Sequence, residues 1–153
     1  MQQSRHCTSQ RISSVRVIFN DSIDLGFAVA ALITGTVDRS EIADWAARVI
    51  DEVEDPPTYI YAMLDIERYH GRGLHDEIGF TPTTGVNSDD EFQYLREIAV
   101  RRGKEDPDYL GGKSPVSLGA VRKAYIDNLL KINFGFDVQS LPPLYLGDAS
   151  RAP

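Results

Sequence analysis

Glu67, His70, His75, Asp76 and Glu77 put two imidazoles and three carboxylates into one short stretch. These are the ligand types from which zinc and hydrolytic iron sites are built. Their spacing fits neither usual arrangement. His70 closes a predicted helix and His75 follows two glycines, so neither two histidines one helical turn apart nor facing carboxylate-histidine pairs arise. The segment reads as a solvated helix end and loop. The alternative is a metal-dependent or acid/base enzyme using Glu67, His70, His75 and Asp76, and otherwise no metal or cofactor is expected. Gly111-Gly112-Lys113-Ser114 has the tail of a phosphate-binding loop, yet Pro107 stands where that pattern needs glycine, and Glu105-Asp106-Pro107-Asp108 replaces the hydrophobic strand. It reads instead as a loop running into a helix N-terminus. Cys7, beside His6, lies in a polar leader that would hold a nucleophile poorly, and no Gly-x-Ser-x-Gly elbow occurs. No catalytic residue is assigned.

The remaining candidates suit recognition. Asp51, Glu52, Glu54 and Asp55 fall at a predicted helix C-terminus, where negative charge opposes the helix dipole. A local electrostatic cost without local benefit points to a partner. Asp89, Asp90 and Glu91 fall at a helix N-terminus, where the dipole alone would justify them. Tyr61 and Tyr109 stand off the predicted apolar stripes and suit interface anchors, whereas most other aromatics fall on those stripes. The partner-binding set is therefore Asp51, Glu52, Glu54, Asp55, Tyr61, Asp89, Asp90 and Glu91.

These residues must be carried by helices. Leu25, Ala28, Val29, Leu32 and Ile33 recur at helical spacing until Gly35. After Asp38, spaced three from Glu41 as in a capping box, Ile42, Trp45, Ala46, Val49, Ile50 and Val53 form one stripe that Pro56-Pro57 stops. A third helix follows Pro57, apolar on two faces (Tyr59, Ala62, Met63 and Ile66; Ile60 and Leu64) and so expected to be central. Residues 71 to 88, with four glycines, read as a long loop. Phe92, Leu95, Ile98 and Ala99 mark a fourth helix. Leu118, Val121, Tyr125, Leu129 and Ile132 mark a fifth, running from Pro115 to near Gly135. Val15-Arg16-Val17-Ile18-Phe19 has the composition of one short strand or of an extended segment packing on the bundle. The expected fold is all-α, a single-domain bundle of about five helices. Residues 1–14 form a polar leader, 15–136 the helical domain and 137–153 an extended tail.

The 153 residues include one cysteine, which excludes an internal disulfide, and no apolar run of membrane-spanning length. A cytoplasmic location is expected. The net charge of -7 is uneven, with 16 acidic and four basic residues between positions 20 and 91. Such a segment repels phosphate backbones and favours a basic protein partner over nucleic acid or membrane.

The stretch Leu32-Ile33-Thr34-Gly35-Thr36-Val37-Asp38-Arg39-Ser40-Glu41-Ile42-Ala43-Asp44-Trp45-Ala46 resembles a segment of small acidic bacterial proteins of the immunity type. The resemblance implies a compact domain that binds and blocks the toxic domain of a secreted antibacterial effector, without catalysis or cofactor. The expected function is accordingly a non-catalytic protein-binding module, an immunity protein neutralising a basic toxin domain. The alternatives are the enzyme above and a homo-oligomeric scaffold.

Overall fold

The structure, a computed structural model, describes residues 15–66 and 71–144; of residues 71–73 and 75 it describes the backbone alone. The leader with His6 and Cys7, Glu67, His70 and the end of the tail from Tyr145 lie outside the described residues. Six α-helices are present among them: α1 (Ile23–Ile33), α2 (Arg39–Glu52), α3 (Thr58–Ala62), α4 (Gly71–Ile78), α5 (Asp89–Arg101) and α6 (Ala120–Phe134). The fold is all-α, and no helix among the described residues is long and apolar enough to cross a membrane. Two compact units are formed, Met1–Ala28 with Arg39–Thr84, and Val29–Asp38 with Gly85–Pro153. The acidic segment 20–91 is thus shared between them.

In the first unit, residues 15–19 form no strand, and of the two expected forms the packed segment is the nearer, with Val17 buried. Ile18 and Asp21 instead form a single antiparallel bridge, because the chain turns back on itself at once and offers no second strand. Arg16 is held on the start of α1: its amide donates to the Asp24 carboxylate at 2.8 Å, and its carbonyl accepts from the amides of Asp24 and Leu25. The α2 stripe behaves as its spacing predicts over Ile42, Trp45, Ala46 and Val49, which are buried, whereas Ile50 is half-buried and Val53 falls past the helix end and is half-buried. The third helix does not follow its spacing. It ends at Ala62 and tightens into a 3-10 turn, Met63–Asp65, burying Ile60 and Met63 but leaving Tyr61 and Leu64 outside. The helix apolar on every side is α1, whose residues Leu25 to Leu32 are all buried.

The expected loop at 71–88 contains α4. Leu74 and Ile78, four residues apart, are both buried and supply the apolar contact that offsets two glycines near the helix start. His75 is therefore a helix position. Beyond α4, residues 81 to 84 run along the first half of α1, where the Thr83 amide donates to the buried Ser22 hydroxyl at 2.9 Å.

In the second unit, Gly35 leaves α1 with φ +79°. The hydroxyls of Thr34 and Thr36, both fully buried, then form a chain: they lie 2.8 Å apart, and Thr36 donates to the Leu95 carbonyl of α5 at 2.8 Å. Thr36→Val is isosteric and orphans this chain, so a loss of about 1–3 kcal/mol is expected. Urea unfolding followed by circular dichroism would read it; an unchanged midpoint would show that the hydroxyls are dispensable.

The last helix begins at Ala120 rather than Pro115. The Val116 amide is taken by the Glu97 carboxylate at 2.6 Å, and Gly119 occupies the N-cap position. Its phase also differs from the expected stripe: Ile126, Leu129, Leu130 and Asn133 face inward, while Val121 is 82% and Ile132 60% exposed. Residues 138 to 140 form a 3-10 turn that buries Val138, fixed by the Arg101 guanidinium, which donates to the carbonyls of Val138 and Pro142.

Candidate protein-binding surface

The acidic turn at the end of α2 is built as its sequence suggests. Asp51, Glu54 and Asp55 are exposed, and Glu52 is half-exposed beside Arg48, 3.9 Å away across one helical turn. That contact is long and solvent-facing, so it relieves little of the repulsion. Asp55 takes φ +57°, a left-handed conformation that aspartate tolerates better than most residues, and so turns the chain toward α3. The α3 and 3-10 segment packs on α2 through Ile60 and Met63 and turns its other side outward. Tyr61 is 49% exposed and Leu64 40%, three residues on, with Asp65 exposed beside them. Four carboxylates of the turn, one of the 3-10 segment and an exposed tyrosine-leucine pair thus belong to consecutive elements of one compact unit.

A second exposed apolar feature of this unit is the turn at Ile18 and Phe19. Phe19 stands edge-on to Phe80 at 5.2 Å between ring centres, and Phe80 edge-on to Tyr59 at 5.6 Å. The Tyr59 hydroxyl donates to the Val17 carbonyl, and burial raises its pKa above that of a free phenol. In the sequence Phe19 closes a short hydrophobic run, and its 74% exposure is not apparent there.

The other expected acids lie in the second unit and divide. Asp89 and Asp90 are exposed. Glu91 is buried: its carboxylate accepts from Arg122 Nε at 2.6 Å and from the Asn87 amide at 2.8 Å. The Arg122 hydrogen bond holds Glu91 below the usual carboxylate range against the opposing effect of burial. Such a side chain is a structural lock, occupied within the fold. Tyr109, the other suggested anchor, also has an internal task, since its hydroxyl donates to the Thr34 carbonyl at 2.8 Å.

The alternative metal set is only partly described: Asp76 is exposed on α4, and among the described residues no three His, Cys, Asp or Glu side chains could share a metal ion. Buried groups that could exchange protons are engaged structurally. Tyr94 donates to Asp127 at 2.7 Å, and burial first and that aspartate second push its phenol well above the usual range. The Gly111 to Ser114 loop leads into no helix. Both glycines have positive φ, and the Ser114 hydroxyl accepts from the buried amide of Gln93. The chain matches no protein-family model, no curated protein and no solved structure.

Proposed function

We propose that this chain is a non-catalytic protein-binding module that docks a basic protein through the acidic turn after α2 and the outward face of α3. The observation that carries the proposal is the exposure of Tyr61 and Leu64 on the segment that directly follows the exposed acidic turn Asp51, Glu52, Glu54 and Asp55, with Asp65 exposed next to Leu64. An aromatic-aliphatic anchor supplies desolvation and residence time, and the surrounding carboxylates steer a cationic surface toward it. The first unit carries twelve acidic and seven basic residues, so its net charge adds to that steering. Following the resemblance of residues 32–46 to immunity-type proteins, the proposed partner is the toxic domain of a secreted antibacterial effector, and binding blocks it.

Titration against a toxin domain encoded beside the gene tests this reading. Binding is expected at low salt, with an association rate that falls as salt is raised. Tyr61→Ala should weaken affinity by about tenfold or more through faster dissociation, while a triple Asp51→Lys, Glu54→Lys, Asp55→Lys variant should slow association. Absence of binding at low salt, or full affinity in both variants, overturns the reading.

A further inference from the structure

The second unit holds a groove of about 600 Å³ along α5, independent of the surface proposed above. Its volume falls in the range of small-ligand and peptide sites. Charge is ordered along it. Along α5, Asp89 and Asp90 stand at the first turn, Phe92 follows and Arg96 lies about two turns on from Asp89, while Val116 and Lys113 line the same groove from the following loop. Six or seven residues separate the acids from Arg96, about 10 Å of helix axis at a rise of about 1.5 Å per residue. Ile33, 47% exposed, adds apolar wall.

The groove floor is fixed. Gln93, 8% exposed, donates through its amide nitrogen to the Leu110 carbonyl at 3.0 Å and to the Ser114 hydroxyl at 3.1 Å. Its amide oxygen accepts from Arg96 Nη1 at 3.3 Å. Both polar ends of Gln93 are thus used within the fold, one of them to orient the Arg96 guanidinium, whose contact with a neutral amide leaves its charge uncompensated. Arg96, Lys113, Asp89 and Asp90 form no ion pair with one another or with any other described residue. Opposite charges at Asp89 and Arg96 that stay apart on one face of α5, with Phe92 between them, are complementary to a ligand carrying the same elements in the opposite sense.

We infer that this groove binds an extended peptide segment bearing a basic, an apolar and an acidic side chain at alternate positions. In an extended chain alternate side chains share a face and successive residues rise about 3.3 Å, so such a triplet spans about 13 Å, within reach of both charged ends through flexible side chains. The basic residue meets Asp89 and Asp90, the apolar residue meets Phe92, and the carboxylate meets Arg96, with Ile33, Val116 and Lys113 completing the walls. Side-chain charge sets the fit, so either chain direction serves.

Fluorescence anisotropy with labelled Lys-Ser-Leu-Ser-Glu tests the inference against three control peptides: Glu-Ser-Leu-Ser-Glu, Lys-Ser-Leu-Ser-Lys and Lys-Ser-Ser-Ser-Glu. The mixed-charge peptide is expected to bind about tenfold more tightly than each control. In an Arg96→Glu, Lys113→Glu variant the groove becomes acidic throughout, and preference should pass to Lys-Ser-Leu-Ser-Lys; Lys113→Glu alone should shift it partway, and far-UV circular dichroism checks that both variants fold. Equal binding of all four peptides, binding of none at millimolar concentration, or an unchanged preference in folded variants overturns the inference. So does a self-association of the wild-type chain that the double variant abolishes, since the occupant would then be a second copy.

Discussion

Replacing Gly26 by alanine is expected to destabilise the first unit, although alanine is the better helix former. Gly26 lies within α1, where propensity alone predicts a gain of about 1 kcal/mol. Packing predicts the reverse. A Cβ built there would lie 2.1 Å from the Thr83 carbonyl oxygen and 2.7 Å from its carbon, inside any permitted contact. The obstacle is main chain, so no rotamer change relieves it. The Thr83 amide also donates a hydrogen bond to the hydroxyl of Ser22, just before α1, and moving the segment away would forfeit it. Overpacking of this kind costs about 1–3 kcal/mol and more where the backbone must shift. The upper end applies here, leaving a net loss of about 2 kcal/mol for Gly26→Ala, and Gly26→Val should lose more. Trp45, 1% exposed in the same unit, reports the change: fluorescence-monitored urea unfolding should shift to a lower midpoint. A higher midpoint would mean that helix propensity prevails and residues 83 and 84 yield freely.

Such a close approach could not be read from the chain, where Gly26 appears as a weak point in a helix. What could be read was the set of helices with long, regular stripes. The α2 spacing of Ile42, Trp45, Ala46 and Val49 maps directly onto burial because its outer face is strongly polar. In α6, apolar residues occur on both faces, so periodicity does not determine the phase; Val121 and Ile132 turn outward while Asn133 is buried, its amide bonded to the Leu129 carbonyl at 3.1 Å. Helix α4 is too short for a period to show, and its glycines carry the composition of a loop. Among the candidate binding residues, the α2 turn and Tyr61 were legible because their exposure follows from local helix geometry. Glu91 was not. Its burial depends on Arg122, 31 residues later, and charge counting cannot show which carboxylate a distant guanidinium reaches. One local signal did exist: Ser88 and Glu91 have capping-box spacing, and the Ser88 hydroxyl accepts from the Glu91 amide at 3.1 Å.

That pairing leads to a second large effect, dependent on pH. Glu91→Gln keeps an acceptor for the Asn87 amide but removes the charge that Arg122 faces. The carboxylate side chain is 8% exposed and the guanidinium 38%, so the freed arginine recovers some hydration and the loss stays below that of a fully buried pair. About 2 kcal/mol at neutral pH is expected for the glutamate replacement, the size of a hydrogen bond between charged groups. Because the folded pKa of Glu91 lies below its unfolded value of about 4.3, the ionised form is favoured by folding. Its contribution is complete above the unfolded value and disappears as pH falls through the folded one. The wild type and Glu91→Gln should therefore differ most from about pH 5.5 upward and converge below about pH 4, other carboxylates acting alike in both. Arg122→Met should lose the same pH-dependent part together with a part that persists at low pH, since its guanidinium also donates to the Gly85 carbonyl and lies over the Tyr125 ring. Urea midpoints by circular dichroism across that range provide the measurement. A gap between wild type and Glu91→Gln that persists unchanged at low pH would assign the stability to shape and hydrogen bonding, with the ion pair contributing nothing.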